Sequence, residues 1–107
     1  MKTMSLDETI RERIVRLLKS RKEPLTVEDI IILLDLKNLK PKDVYEHLRH
    51  VAKTVRAQGN EVLAMIPPSC KQCGFIFTNL DKPKKPSRCP KCKSERITSP
   101  AFKMVSR

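Results

Sequence analysis

Cys70-Lys71-Gln72-Cys73 and Cys89-Pro90-Lys91-Cys92, separated by fifteen residues, decide the fold of the C-terminal part of this chain and contain all four of its cysteines. Two Cys-x-x-Cys pairs bring four thiolates to the corners of a tetrahedron, which is the geometry of a closed structural zinc site. Disulfides are the alternative, but no secretory leader is recognisable, and a reducing cytoplasm keeps thiols free. We therefore expect a cytoplasmic protein that binds one zinc ion. The predicted ligands are Cys70, Cys73, Cys89 and Cys92.

The segment around these cysteines, residues 67–99, is too poor in large apolar side chains to fold alone. Its apolar side chains are Phe75, Ile76, Phe77, Leu80 and Ile97. Zinc coordination in comparable sites contributes roughly 10–16 kcal/mol, which is enough to order such a segment. Gly74, directly after the first pair, permits the tight turn of a metal-binding loop. Four protein ligands leave no open position, so the predicted zinc is structural and not catalytic.

The charge of the chain points to a polyanionic partner. It carries 23 basic and 12 acidic residues, a formal net charge of +11. Residues 67–107 hold 10 of the basic and only 2 of the acidic residues, so the cysteine-bearing part carries most of the net positive charge. A soluble protein with this excess favours nucleic acid as its partner. A lysine-rich surface that serves only solubility is the alternative.

Two short helices are predicted in the first third of the chain. Ser5 and Glu8 have the spacing of a capping box, which places the start of the first helix near Leu6 and its end around residues 20–22. Thr26 with Asp29 forms a second N-terminal cap. The helix that follows, residues 27–34, is apolar on nearly every side, so we expect it to be buried over most of its surface. A buried strand is the alternative for this run.

A third helix and two strands complete the predicted elements. Pro41 suits the first position of the third helix, and Gly59 suits its C-terminal cap. The apolar stripe of that helix consists of Val44, Leu48, Val51 and Val55. Residues 62–66 form a short apolar strand, and Phe102 and Met104 alternate with other residues in a second one. The cysteine segment lies between these two strands.

Three helices followed by two strands are the element order of a winged helix-turn-helix domain. With the segment Pro41-Lys42-Asp43-Val44-Tyr45-Glu46-His47-Leu48 and both cysteine pairs, the chain resembles an archaeal family of winged helix-turn-helix proteins that carry a rubredoxin-like zinc ribbon inserted at the wing. The predicted fold is α+β. Residues 1–66 and 100–107 form the winged helix, and residues 67–99 form the inserted ribbon. The resemblance implies DNA-binding transcriptional regulation.

Double-stranded DNA is therefore the expected partner. In this architecture the third helix enters the major groove, and the basic ribbon contacts the phosphate backbone. The predicted contacts on the helix are Lys40, Lys42, Glu46, Arg49, His50 and Lys53. Those on the ribbon are Lys82, Lys84, Lys85, Arg88, Lys91 and Lys93. An ordinary solvated helix face is the alternative, because Asp43 and Glu46 place negative charge where DNA would approach.

Other functions remain as rivals. A docking module of a transcription assembly comes first, followed by RNA binding and by a rubredoxin-like electron carrier holding iron. Against iron, Lys93 stands where rubredoxins have a second loop glycine, the chain has no tryptophan, and its surroundings are cationic. No catalytic constellation is recognisable, so we expect no enzyme. We expect no membrane span, and the oligomeric state stays open.

Overall fold

The computed structural model describes residues 9–107, which form three helices, a small antiparallel sheet and the cysteine-bearing segment. In chain order the elements are α1 (Ile10–Ser20), β1 (Leu25–Thr26), α2 (Val27–Leu34), α3 (Pro41–Gln58), β2 (Glu61–Ile66) and β3 (Ala101–Ser106). The class is α+β, as predicted. Within residues 9–107, no helix has the length and apolar character needed to cross a bilayer.

The first helix begins later than the sequence predicted. Ser5, Leu6 and Glu8 lie outside the described residues, and α1 begins at Ile10. Thr9 is its N-cap: the Glu12 amide donates to the Thr9 hydroxyl at 3.1 Å, and the Thr9 amide donates to the Glu12 carboxylate at 2.8 Å. The prediction of a start near Leu6 is therefore wrong, because Thr9 and Glu12 form a capping box with the same three-residue spacing.

The next two helices have the predicted bounds. Thr26 and Asp29 form the capping box of α2, in which each backbone amide donates to the other side chain. Pro41 is the first residue of α3, and Gly59 caps its end with φ of 88°. A hydroxyl cap sets the start of α2, and a glycine in the left-handed region sets the end of α3. The two-residue strand β1 was not predicted, since it is too short to show an alternating pattern.

The sheet has the strand order β1-β3-β2, with both pairings antiparallel. β2 and β3 pair along their full length, from Glu61 opposite Ser106 to Ile66 opposite Ala101. The cysteine segment leaves the sheet where Ile66 and Ala101 face each other. It is therefore an excursion from the end of a hairpin, and both of its ends are held by the same pair of strands.

The core of the helical body joins all three helices to the sheet. Its buried side chains are Ile14, Leu18, Leu25, Val27, Ile30, Leu36, Val44, Leu48, Val51, Val55, Phe102 and Met104. The stripe predicted on α3 is confirmed in full, as is the inward alternation of β3. One prediction is wrong: α2 is not buried over most of its surface, because Ile32 is 74% exposed and Leu33 is 43% exposed.

Candidate metal centre and basic cleft

The four cysteine sulfur atoms lie within 4.8 Å of one another. Two close separations join the two pairs: Cys70 Sγ is 3.5 Å from Cys92 Sγ, and Cys73 Sγ is 3.6 Å from Cys89 Sγ. A Zn–S bond of about 2.3 Å places the corners of a regular tetrahedron about 3.8 Å apart, so one zinc ion fits this donor set. The prediction of a single four-cysteine metal site is confirmed.

Both cysteine pairs have the same backbone shape, which we call a knuckle. In the first (residues 70–75), the Cys70 amide donates to the Phe75 carbonyl at 2.8 Å and the Gly74 amide donates to the Cys70 carbonyl at 2.9 Å. In the second (residues 89–94), Cys89 and Ser94 make the first of these bonds at 2.8 Å. Each knuckle thus closes on itself and presents its two sulfurs to the same side.

Backbone amides point at the inner sulfur of each knuckle. The Gln72 amide donates to Cys70 Sγ at 3.3 Å, and the Lys91 amide donates to Cys89 Sγ at 3.3 Å. The Cys92 amide donates to Cys89 Sγ at 3.5 Å. Such bonds disperse the negative charge of a metal thiolate centre and orient the ligands.

The two knuckles differ at the residue that follows the second cysteine. Gly74 has φ of 81°, and its counterpart Lys93 has φ of 68°. Only glycine adopts this region without strain, and a side chain there costs about 1–2 kcal/mol. The missing second glycine was visible in the sequence, and the structure shows that the backbone keeps the same turn without it.

The thiols have divergent pKa values, because they crowd one another. Burial raises the pKa of Cys70, but amide and sulfur hydrogen bonds outweigh it and lower the value to about 6. Burial also raises the pKa of Cys89, but hydrogen bonds from the backbone amides of Cys92 and Lys91 outweigh this effect, so the pKa is lowered. The Ser94 amide lowers the pKa of Cys92, yet burial and three neighbouring sulfurs raise it to about 12. A divalent cation supplies the positive charge that lets all four ionise together.

The segment around this centre has a very small core of its own. Its buried cluster consists of Cys70, Cys89 and Ile97, and Phe75 and Phe77 pack against it. The two phenyl rings meet edge to face, with their centroids 5.0 Å apart. Two of the three residues in the cluster are metal ligands. The metal therefore closes this ribbon, because its apolar contacts alone bury too little surface.

The loop of the ribbon lies beside α3. Residues 80–85, here the ribbon loop, form one wall of a cleft of about 670 Å³ whose other wall is the N-terminal half of α3. Basic residues of both walls line it: Lys42, Arg49, Lys82, Lys84 and Lys85. An adjoining groove of about 460 Å³ adds Lys53 and Arg56. The structure thus brings together seven of the predicted nucleic-acid contacts, six basic residues and Glu46, and adds Arg56.

Acidic residues of α3 are engaged within the helix itself. Glu46 accepts from Arg49 at 3.0 Å and lies 3.5 Å from the His50 ring nitrogen. Asp43 accepts from the Lys40 amide at 3.0 Å and so caps the helix. Glu46 also lines the cleft, together with the acids Glu28 and Asp81. Its partners on α3 offset part of the negative charge that Glu46 would present to a phosphate.

The remaining predicted contacts do not line the cleft. Lys40 is the N-cap of α3, and Arg88 pairs with Glu95 at 3.8 Å. Lys91 and Lys93 belong to the second knuckle, where the Lys93 ammonium donates to the Pro90 carbonyl at 3.5 Å. Arg56 was the residue missed from the predicted contacts, although its helical spacing from Lys53 and Arg49 was a usable signal.

Known proteins share this organisation. Fold and site define a class, a small helical protein with a four-cysteine zinc ribbon. Residues 9–63 match the family model described as PF0610-like, N-terminal, and residues 67–107 match the PF0610 rubredoxin-like zinc beta-ribbon domain. The chain therefore belongs to the PF0610-like family.

A solved structure agrees with this assignment. The solution NMR structure of protein PF0610 from Pyrococcus furiosus is 33% identical to this chain, with a TM-score of 0.72. The match covers 100% of this chain and 96% of that one. No curated protein matches the chain.

Proposed function

We propose that this protein is a transcriptional regulator that binds duplex DNA, with α3 at the major groove and the ribbon loop on the phosphate backbone. The observation that carries the proposal is the basic cleft. Two elements far apart in the chain place their cations along the same side of α3. Phosphate contacts of this kind supply most of the affinity of a DNA-binding protein.

The topology supports a winged helix-turn-helix arrangement. α2 and α3 are joined by a short connection, and the hairpin of β2 and β3 follows α3 directly. In winged helices the second helix of the pair reads the major groove, and the hairpin after it reaches the neighbouring backbone. Here the ribbon takes the place of the wing tip, because it leaves the hairpin between Ile66 and Ala101.

The charge of the cleft supports a polyanionic ligand. Seven basic side chains and three acidic ones line its two parts. A protein that contacts six to ten phosphates loses about 10³–10⁵-fold in affinity when the salt concentration rises from about 50 to about 200 mM. A steep salt dependence is therefore the expected signature of this interface.

The test is fluorescence anisotropy of a labelled duplex over a salt series. Wild type is compared with the double variant Lys84→Gln/Lys85→Gln, which removes two charges from the ribbon loop. Its matched control is Lys22→Gln/Lys37→Gln, which removes two exposed charges that do not line the cleft. We expect the ribbon variant to bind more weakly and with a slope smaller by roughly one unit per lost phosphate contact, and the control to bind like wild type.

Equal losses in both double variants would contradict the proposal, because the affinity would then follow net charge alone. So would an affinity that does not change with salt. If unlabelled single-stranded RNA displaced the labelled duplex better than unlabelled duplex does, the cleft would be assigned to RNA instead. An electron carrier would show a reversible iron absorption in protein isolated from its native source.

A further inference from the structure

The α2 helix and its flanks have the opposite charge to the rest of the molecule. Residues 23–36 contain four acidic residues and no basic one, in a chain whose net charge is +11. Three of these acids, Glu23, Glu28 and Asp35, are exposed. The nearest basic residue after α2 is Lys37, whose ammonium lies 4.0 Å from the Asp35 carboxylate.

The same helix exposes large apolar side chains. Ile32 is 74% exposed and Leu33 is 43% exposed, although neighbouring Ile30 is fully buried. Each exposed side chain of this size forgoes part of the burial free energy that an apolar contact would supply. The apolar run of α2 thus exceeds what the core formed by residues 9–107 covers.

Helical spacing places the exposed groups on one surface. Glu28, Ile32 and Asp35 follow one another at intervals of four and three residues, so they lie along one side of α2, with Leu33 at the edge. We call these four residues the α2 patch. Its centre is apolar and its two ends are acidic.

Nucleic acid does not fit this surface. Phosphates would meet the carboxylates of Glu28 and Asp35, and a duplex offers little apolar surface to cover Ile32. A second α2 patch packed against the first would place like charges together, which is unfavourable. A basic protein segment with an apolar side chain complements both the charge and the apolarity.

We propose that the α2 patch is a docking surface for a partner protein that presents an apolar side chain flanked by lysine or arginine. Ile32 is the anchor, and Glu28 and Asp35 set the charge preference. This surface is distinct from the basic cleft in sign and in residues, apart from Glu28, which borders both. The inference does not depend on DNA binding.

The test uses two synthetic amphipathic peptides of about 18 residues, or five helical turns, with the same leucine pattern. One carries lysine on its polar face and the other carries glutamate. Titrations are followed by fluorescence anisotropy and by backbone amide chemical shifts. We expect the lysine peptide to bind, with shifts centred on residues 28–35, and the glutamate peptide to bind far more weakly.

Variants separate the anchor from the charges. Ile32→Asn should weaken the lysine peptide roughly tenfold or more, since it removes the apolar contact. Its matched control is Ile76→Asn, which removes an isoleucine 53% exposed on the ribbon and should leave binding unchanged. Glu28→Gln/Asp35→Asn should weaken binding by about two- to fivefold per charge. Asparagine tolerates the left-handed conformation of Asp35, whose φ is 55°, so the helix end is retained.

Several outcomes would overturn the proposal. Binding of both peptides with equal affinity, shifts centred outside α2, or wild-type affinity in Ile32→Asn would each do so. Self-association that Ile32→Asn abolishes, seen by sedimentation of the protein alone, would assign the patch to a second copy. Duplex affinity is measured on Ile32→Asn, which lies outside the cleft: a loss of peptide binding with unchanged DNA binding supports two separate surfaces.

Discussion

The helical body and the ribbon are stabilised by different interactions. The core of the body contains twelve buried apolar side chains, eleven from three helices and two strands and one, Leu36, from the connection between α2 and α3. The buried cluster of the ribbon contains three residues, and two of them are ligands of the metal. A short segment can therefore keep a defined shape only when coordination replaces the apolar burial that it lacks.

The apolar side chains next to the cysteines differ in where they lie. Phe75 and Phe77 pack against the buried cluster of Cys70, Cys89 and Ile97, whereas Ile76 is 53% exposed. The ribbon thus arranges its few apolar side chains around the metal and not around a separate centre. Removal of the metal removes the feature that its packing surrounds.

The largest expected effect is the loss of the metal. Chelation, or Cys89→Ser, should unfold the ribbon while the helices of the body remain, because zinc coordination contributes roughly 10–16 kcal/mol to such sites. Amide NMR spectra before and after chelation check this for each part of the chain. Ser87→Ala, an exposed serine in the ribbon, is the control and should retain both parts.

A metal-free protein with an ordered ribbon would show that the ribbon does not need coordination to fold. If the cleft binds DNA as proposed, the chelated protein should also lose most of its duplex affinity, since the ribbon loop would no longer be held beside α3. Circular dichroism on the same sample shows whether the helices survive.

The stability of the helical body should depend on its apolar core and not on the metal. Leu48→Ala removes a fully buried side chain from the centre of α3, and we expect a loss of about 2–5 kcal/mol in the free energy of unfolding. Denaturant unfolding measures it. The zinc content should remain one per chain under native conditions. Ile32→Ala, at a position 74% exposed, is the matched control and should change the stability by no more than about 0.5 kcal/mol.

The two knuckles offer a smaller and more local contrast. Lys93→Gly should relieve left-handed strain and raise the stability of the zinc-bound ribbon by about 1 kcal/mol. Gly74→Ala should lower it by a similar amount, although an added Cβ at Gly74 meets no atom within 4 Å. Competition with a chelator of known affinity measures both. The same sign for both variants would show that backbone strain does not distinguish the knuckles.

The smallest expected effect is a pH dependence in the body. Arg11 Nε donates to His47 Nδ1 at 3.1 Å, which requires that ring nitrogen to be unprotonated. Burial, and then the charge of Arg11, lower the pKa of His47 below its usual value of about 6.5. The unfolded chain therefore binds the proton more readily than the folded one. This contribution to stability is present above about pH 6.5 and is lost as the pH falls toward the folded pKa.

Thermal unfolding of wild type and His47→Gln at several pH values checks this prediction. The variant should lose less stability than wild type between neutral and mildly acidic pH. Identical pH profiles would show that the Arg11–His47 contact does not matter for folding.

Local rules explain most of what could be predicted. The bounds of α2 and α3 follow from Thr26, Pro41 and Gly59, each of which acts on the backbone within a few residues. The inward side chains of β3 follow from alternation alone. The start of α1 was misplaced because two capping-box patterns, residues 5–8 and 9–12, follow one another in the sequence, and spacing does not say which one caps this helix. β1 was missed because two residues carry no periodic signal.

The four ligands, the class of metal site and the main helices could be predicted from the sequence, because these depend on spacings within one turn or one loop. The position of the ribbon loop beside α3 and the exposure of Ile32 could be seen only in the folded molecule. Both facts depend on how separate elements pack, and local periodicity does not say which apolar face the core will have room to bury.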